Sequence, residues 1–236
     1  MRKSGFTLIE MLVVVGCVAV VAAILVPGMV SSRRASNERQ ASTSLRTLAS
    51  AEADFRANDR DGNRVYDFWT GDVKGLFTMT SAADRGASGD RRDPPLKLIE
   101  LQVAAADADA SHVSAGGENT ALAAFASPAP FHGHWFGALE LDRSLPAGDP
   151  DAPYRQDTGG AIAMGACHHP TRFGFITFPD SPTSGKYLFL VNENNTEFRS
   201  AVTGTVRNGP TPPGLPAGYR NWPNDDALKS YWSKFD

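Results

Sequence analysis

The sequence predicts an α+β fold in which a long N-terminal helix packs on an antiparallel β-sheet, followed by loops and a short C-terminal helix. Three observations support this fold class. An uncharged apolar run leads into an amphipathic stripe within residues 6–57. Aromatic and β-branched runs alternate with turn residues between 172 and 202. A third apolar pattern, with a residue suited to cap a helix, follows position 224.

The chain opens with a short basic segment, residues 1–5, and then becomes strongly apolar. No charged residue occurs in 11–30. As a helix rising 1.5 Å per residue, this run is about 30 Å long, enough to cross a bilayer. Glu10 lies at the start of the apolar run, where a charge costs roughly 2.5–3.5 kcal/mol on insertion scales. We therefore expect residues 6–30 to form a membrane helix and Glu10 to have a function.

The helix is predicted to continue as an amphipathic segment over residues 31–57. Pro27 precedes this segment; proline removes a helix hydrogen bond and crowds the preceding turn, so we expect a kink or local melting there. The Asn-, Asp- and Gly-rich run 58–63 is expected to end the helix. The residues of the apolar stripe, spaced three or four apart, are Ala41, Leu45, Leu48, Ala51 and Phe55.

Residues 58–236 are numerous enough to form one globular head domain with its own core. Its clearest strands are predicted at 172–178, 186–191 and 196–202, joined by turns into an antiparallel meander. Residues 135–141 are expected to form a strand, and 97–103 either a strand or a helix. The segments expected to be mainly loops are 81–95, 104–117 (loop or weak helix), 142–160 and 208–218.

A short helix is predicted near the C-terminus. Asn224 suits its N-cap position, and the two aspartates that follow favour the positive end of the helix dipole. The apolar stripe expected to face the core consists of Leu228, Tyr231, Trp232 and Phe235.

Charge and cysteine content limit the range of functions. The chain has 23 Lys and Arg against 26 Asp and Glu, so it has no excess of basic residues for binding nucleic acid. Of its two cysteines, Cys17 lies in the apolar run and Cys167 far along the chain. They could meet only if the head folded back to membrane depth, so we expect no intramolecular disulfide.

Two groups of residues have the chemistry of metal ligands without a complete pattern. Asp59, Asp61 and Asn63 offer oxygen ligands around a glycine turn, as Ca²⁺ prefers, but the distal glutamate of the EF-hand pattern is missing. A helix stop and a turn explain these residues equally well. Because no full ligand set is visible, we expect no cofactor.

A zinc site is the second possibility, with ligands drawn from two histidine-containing clusters. Imidazole and thiolate groups bind zinc, but neither cluster has the usual zinc spacing. Surface or packing histidines are the simpler interpretation. The candidate ligands are His132, His134, Cys167 and His168, with His169 adjacent.

Catalytic motifs are not apparent in the sequence. It has no Gly-x-Ser-x-Gly nucleophile elbow and no glycine-rich phosphate-binding loop between a strand and a helix. We therefore expect a protein that is not an enzyme.

The segment Gly5-Phe6-Thr7-Leu8-Ile9-Glu10, followed by an apolar helix containing a proline, resembles the N-terminal signal of type IV pilins and type II secretion pseudopilins. The resemblance covers about the first 55 residues. An ordinary secretory signal is a poor alternative, because its small-residue cleavage site follows the apolar core and cleavage removes that core. Here the small residue comes first. An uncleaved single-span anchor is the other alternative.

The resemblance implies that a prepilin peptidase cleaves between Gly5 and Phe6 and methylates the new amino group of Phe6. It places the leader in the cytoplasm and the head outside the inner membrane, where an assembly platform draws the subunit into a filament with copies of itself and other pilin-like subunits. In that filament, Glu10 is expected to pair with the amine of Phe6 in a neighbouring subunit.

Alternatives remain within this resemblance. The filament is either a type II secretion pseudopilus or a type IV pilus, and the missing cysteine pair of many pilins favours the pseudopilus. A minor subunit at the filament tip is another possibility, against which Glu10 argues. In a different class, the chain is a membrane-anchored binding or enzymatic domain that uses the signal only for delivery.

Processing can be tested directly. Intact-mass analysis of membrane-extracted protein should show loss of residues 1–5 and one methyl group on Phe6. Gly5→Leu should block cleavage, because a bulky side chain replaces the small one at the scissile bond. A mature protein that starts beyond residue 10 would contradict the assignment.

Overall fold

One 50-residue helix, α1 (Leu8–Ala57), forms the N-terminal part of the protein, and its second half lies against a mixed α+β body. The α+β, pilin-like fold class predicted from the sequence is therefore confirmed. The computed structural model describes residues 7–79, 96–108, 122–144, 152–160, 165–202 and 220–235.

Both ends of α1 are capped by local hydrogen bonds. Thr7 and Glu10 form a capping box at the start, which satisfies donors that the first helical turn leaves open. At the other end, the backbone N–H of Asn58 donates to the carbonyl of Asp54 at 3.1 Å. The helix runs without interruption through Pro27, so the local melting that we expected is absent, and a kink there stays a prediction.

Burial changes along α1. The side chains of its first three turns and of most of the apolar run are exposed, with Leu8 at 82% and Ile24 at 73%. From residue 41 onward one face is buried, which confirms the predicted apolar stripe. The buried stripe residues are Ala41, Leu45, Leu48, Ala51 and Phe55.

The main sheet is antiparallel and has the order β10-β8-β7-β6-β2. Its three central strands are the predicted meander, and Phe175 of β6 pairs with Val191 of β7. The edge strand β10, which we did not predict, follows the C-terminal helix. The strands are β2 (His134–Ala138), β6 (Gly174–Pro179), β7 (Tyr187–Asn192), β8 (Glu197–Ala201) and β10 (Ser233–Lys234).

Shorter elements complete the body. The segment that we left open between strand and helix forms α3 (Leu101–Ala105), and α2 (Gly75–Thr78) packs against it. A 3₁₀ turn spans Leu122–Ala124. The small strands are β1 (Phe68–Trp69) paired with β5 (His168–His169), and β4 (Ala152–Pro153), β3 (Leu141–Asp142) and β9 (Asn221–Trp222) in a second small sheet.

One predicted strand is divided in two, one predicted loop contains a strand, and two predicted loops lie outside the described residues. The predicted strand 135–141 divides into β2 and β3, and the loop predicted at 142–160 contains β4. The loops at 81–95 and 208–218 fall outside the described part of the chain, as does 109–117 of the segment 104–117.

The C-terminal helix α4 (Asp225–Tyr231) is capped by Asn224, whose side-chain oxygen accepts from the N–H of Ala227 at 2.8 Å. Its predicted stripe is partly wrong: Tyr231 is 74% exposed. Leu228, Trp232 and Phe235 do pack against the core. After the helix ends, β10 pairs with β8, and this pairing carries Phe235 back over Phe189.

The hydrophobic core lies between the second half of α1 and the main sheet. Phe55 on the helix is 1% exposed and contacts the ring of Trp69, with 6.5 Å between centroids. Helix α1 contacts β7, β6 and β1. Removing a large side chain from this position loses its transfer free energy and leaves a cavity.

Phe55→Ala should therefore lower the free energy of unfolding by about 3–5 kcal/mol. The measurement is denaturant unfolding of a fragment that starts at Arg33, which we expect to be soluble and monomeric. Tyr66→Ala, at an aromatic residue that is 65% exposed, is the matched control and should change stability far less. Equal losses for the two variants would contradict the packing.

Candidate functional site

The first half of α1 exposes an almost continuous apolar surface. Every described side chain from Leu8 to Met29 is exposed, and the most apolar window of the helix has no residue buried within the protein. By length and composition, this helix can cross a membrane. An apolar surface of this extent indicates contact with lipid or with other protein.

Glu10 is the only charged residue of this surface among the described residues 7–32. One oxygen, Oε2, accepts from the backbone N–H of Thr7 at 2.8 Å and from its hydroxyl at 2.6 Å. In return, the N–H of Glu10 donates to the Thr7 hydroxyl at 3.4 Å. Within the described residues, Oε1 makes no hydrogen bond, so this oxygen is available to a donor from outside the chain. The sequence pattern identified Glu10 as a functional residue, but it did not identify Thr7 as its hydrogen-bond partner.

Residues 1–26 match the family model of the prokaryotic N-terminal methylation motif. This segment is a prepilin-type signal, as found in type IV pilins and pseudopilins. The signal implies processing by a prepilin peptidase and membrane assembly, and the apolar helix fits an inner-membrane anchor. The predicted cleavage and methylation residues, Gly5 and Phe6, lie outside the described residues. No curated protein and no solved structure shows significant similarity to the chain.

The calcium candidates after α1 use their oxygens in separate contacts. Both carboxylate oxygens of Asp59 accept from the N–H of Arg64, and Asn63 Oδ1 accepts from the N–H of Val65 at 2.6 Å. Asp61 instead turns inward, and its Oδ2 lies 3.1 Å from Nε2 of His168. The three residues therefore close a turn, and one of them reaches a histidine from the other candidate set.

The zinc candidates are separated in a similar way. Cys167 and His168 are adjacent and buried, with Sγ 3.4 Å from Nδ1. His132 and His134 lie at the start of β2, where His134 pairs with Pro179. The described residues contain a cluster of potential metal ligands, and neither His132 nor His134 belongs to it. The structure therefore does not bring the two groups of zinc candidates together. Cys17 and Cys167 form no disulfide, as predicted.

That cluster consists of Asp61, Asp67 and His168, whose ligand atoms all lie within 4.8 Å of one another. Burial raises the pKa of Asp67 and raises that of the neighbouring Glu52 well above its usual range. Burial alone would lower the pKa of His168, but its hydrogen bonds to Asp61 and Cys167 raise it to about 10. The cluster is thus a buried set of interacting titratable groups.

Sequence reasoning missed Asp67 and Glu52. Asp67 belongs to no pattern, because only the fold brings it near His168. Glu52 did leave a signal: it lies four residues after Leu48 and three before Phe55, so it occupies a position on the apolar stripe. An acid at a core-facing position predicts a buried polar partner.

His134 forms a second buried polar site, away from this cluster. Its Nδ1 lies 3.3 Å from the carbonyl of His132 and donates to it, whereas Nε2 is buried without a hydrogen-bond partner in the described residues. Burial lowers the pKa of His134 to about 4, because a proton on Nε2 would place a cation in apolar surroundings.

This pKa predicts a loss of stability in acid. The unfolded chain takes up a proton near pH 6.5, whereas the folded state does so only near pH 4. The stabilisation by neutral His134 is therefore complete above pH 6.5 and declines as the pH falls to 4, by about 3 kcal/mol. Denaturant unfolding of the fragment from Arg33 at pH 7 and pH 4.5 should show that His134→Gln reduces this decline. His132→Gln is the control, and an equal decline in all three proteins would contradict the assignment.

Proposed function

We propose that the chain is a structural, non-enzymatic subunit of a pilin-like filament, and that it waits in the inner membrane until it is drawn into the filament. The observation that carries the proposal is the exposed apolar half of α1, which bears a prepilin-type signal and is continuous with the helix buried in the head. The head is expected to be extracytoplasmic.

The continuity of α1 matters for this function. A filament that holds its subunits by bundled apolar helices needs each helix to be rigidly joined to its head. Here the same helix is exposed up to Met29 and packed on the sheet from Ala41. Growth by addition of subunits further requires a head-to-tail contact that does not close on itself. Parallel, staggered copies of α1 provide such a contact.

Glu10 supplies the polar contact that fixes this stagger. After cleavage, the amino group of Phe6 is a cation at the end of an apolar helix, and each charge is costly in hydrocarbon without a partner. Thr7 occupies only Oε2 of Glu10. The other oxygen can accept from the amine of an adjacent subunit while the capping box stays intact.

Within this class, we favour a type II secretion pseudopilus over a type IV pilus. The two cysteines form no disulfide: Cys17 is exposed on α1, and Cys167 is buried in the head. A cysteine pair that staples a C-terminal loop, as in many type IV pilins, is therefore not available. The competing function is a membrane-anchored binding or enzymatic domain, which would remain in the membrane without assembling.

The test separates the charge of Glu10 from its capping role. Glu10→Gln keeps an oxygen for the Thr7 donors but removes the negative charge. Thr7→Val removes the hydroxyl of the capping box and keeps the charge. We expect both variants to be processed and to accumulate in the membrane, but only Thr7→Val to reach the sheared filament fraction, as wild type does. Immunoblots of that fraction against the membrane-retained protein give the measurement.

Other outcomes have distinct meanings. Efficient assembly of Glu10→Gln would show that the charge of Glu10 does not set the register. A wild-type protein that never leaves the membrane fraction and never crosslinks to copies of itself, in a cell with an active assembly machinery, would contradict the filament function and support the anchored domain.

A further inference from the structure

A buried cluster of acids and one histidine lies where the C-terminal end of α1 meets the body. Asp61 and Asp67 are fully buried and His168 is 1% exposed. They come from the turn after α1, the segment before β1, and β5. Their ligand atoms lie within 4.8 Å of one another, although they are separated by up to 107 positions in the chain.

Each carboxylate of this region is fixed through one oxygen and presents the other. Thr158 donates its hydroxyl to Asp67 Oδ2 at 2.6 Å, and the N–H of Trp69 donates to Oε2 of Glu52 at 3.0 Å. The second oxygens, Oδ1 of Asp67 and Oε1 of Glu52, are buried without a hydrogen-bond partner in the described part of the chain. The unpartnered Oδ1 of Asp67 belongs to the cluster and is therefore an acceptor available to a cation.

The charge of the cluster supports this interpretation. Asp61 and Asp67 are two fully buried carboxyl groups, and the buried Glu52 lies outside the cluster but near enough to interact with Asp67 and His168. A single imidazolium would balance only one of the two cluster carboxylates, Asp61 and Asp67. Buried charges without partners are strongly unfavourable, and coordination to a metal is one of the few ways to satisfy them.

We propose that Asp61, Asp67 and His168 bind one Zn²⁺ ion. Imidazole together with carboxylates suits a borderline transition-metal ion, whereas Ca²⁺ and Mg²⁺ prefer shells made of oxygen alone. With three protein ligands, a water molecule would complete a tetrahedral zinc site.

The local geometry agrees with zinc coordination. Tetrahedral ligands at about 2.0–2.1 Å from zinc lie about 3.3 Å from each other. Asp61 Oδ2 and His168 Nε2 are already 3.1 Å apart, so an ion would replace the hydrogen bond between them with little movement. On the other side of the ring, Nδ1 faces the sulfur of Cys167 at 3.4 Å. A proton on Nδ1 leaves Nε2 free for the metal, the arrangement found around ligating histidines.

The ion would join the end of α1 to β1 and β5, and so would stabilise the attachment of the helix to the head. Because the ligands are buried, zinc would enter as the head folds. This proposal departs from the sequence-based expectation of no cofactor, since Asp67 supplies a ligand that the sequence pattern lacked. It does not depend on filament assembly.

The test uses the full-length protein in detergent, refolded with zinc or with excess chelator. Metal analysis after desalting should find one zinc per chain, and thermal unfolding should occur at a higher temperature with zinc than with chelator. Co²⁺ as a spectroscopic probe should give the intense visible bands of a four-coordinate site. Thr158→Val, which frees Asp67 Oδ2, should weaken zinc binding about 10- to 100-fold.

Asp67→Asn and His168→Gln should abolish stoichiometric binding. Asp157→Asn and His132→Gln are the matched controls outside the cluster and should bind zinc as wild type does. The proposal is overturned if refolded wild type binds no zinc, if its Co²⁺ spectrum is that of a six-coordinate aqua ion, or if the controls lose zinc as fully as the cluster variants. The wild-type measurements decide the question even if the cluster variants fail to fold.

Discussion

The structure depends on one uninterrupted helix that must satisfy two environments. A helix meets all its internal backbone hydrogen bonds within itself, so it can pass from an apolar surrounding into a folded head without leaving polar groups unsatisfied. In α1 only the side chains change, from uncharged on all sides over residues 11–30 to one apolar stripe after residue 41. The head has to be built around that stripe, because α1 supplies a wall of its core.

The sheet meets this requirement with its central strands. Within the main sheet, helix α1 packs across β7 and β6, which carry the buried residues Phe189 and Phe175. Strand β7 lies between β8 and β6, and β6 lies between β7 and β2, so the backbone groups of both strands are paired where the helix covers them. The C-terminal segment extends the sheet beyond β8 by adding β10.

Local periodicity explains what the sequence predicted well. The stripe on α1 and the meander are encoded by residues near one another in the chain, so spacing alone revealed them. The Asp61–Asp67–His168 cluster is different, because its members meet only through long-range folding. The stripe predicted on α4 was partly wrong for a related reason: the helix ends at Tyr231, and the following strand, not the helix face, directs Phe235 to the core.

Polar contacts between α1 and the head fix the axial position and rotation of the helix, which apolar packing alone does not. Non-directional apolar packing alone would resist sliding of the helix only weakly. A slip of one residue would move the helix about 1.5 Å along its axis and turn it about 100°. Fixed donors and acceptors remove that freedom. Asn37 donates to the carbonyl of Ser184 at 3.0 Å, and Glu38 accepts from the N–H of Lys186 at 2.6 Å.

Further along the helix, the buried Glu197 accepts from Ser42 at 2.9 Å and from Arg46 at 3.1 Å. About one and a half turns beyond Arg46, Glu52 accepts from the backbone N–H of Trp69. These contacts are spread over about four turns of α1, so rotation or axial slip would break all of them together. If the apolar half of α1 carries the subunit within a filament, this spacing is what passes an axial load from the helix to the head without changing the register between them.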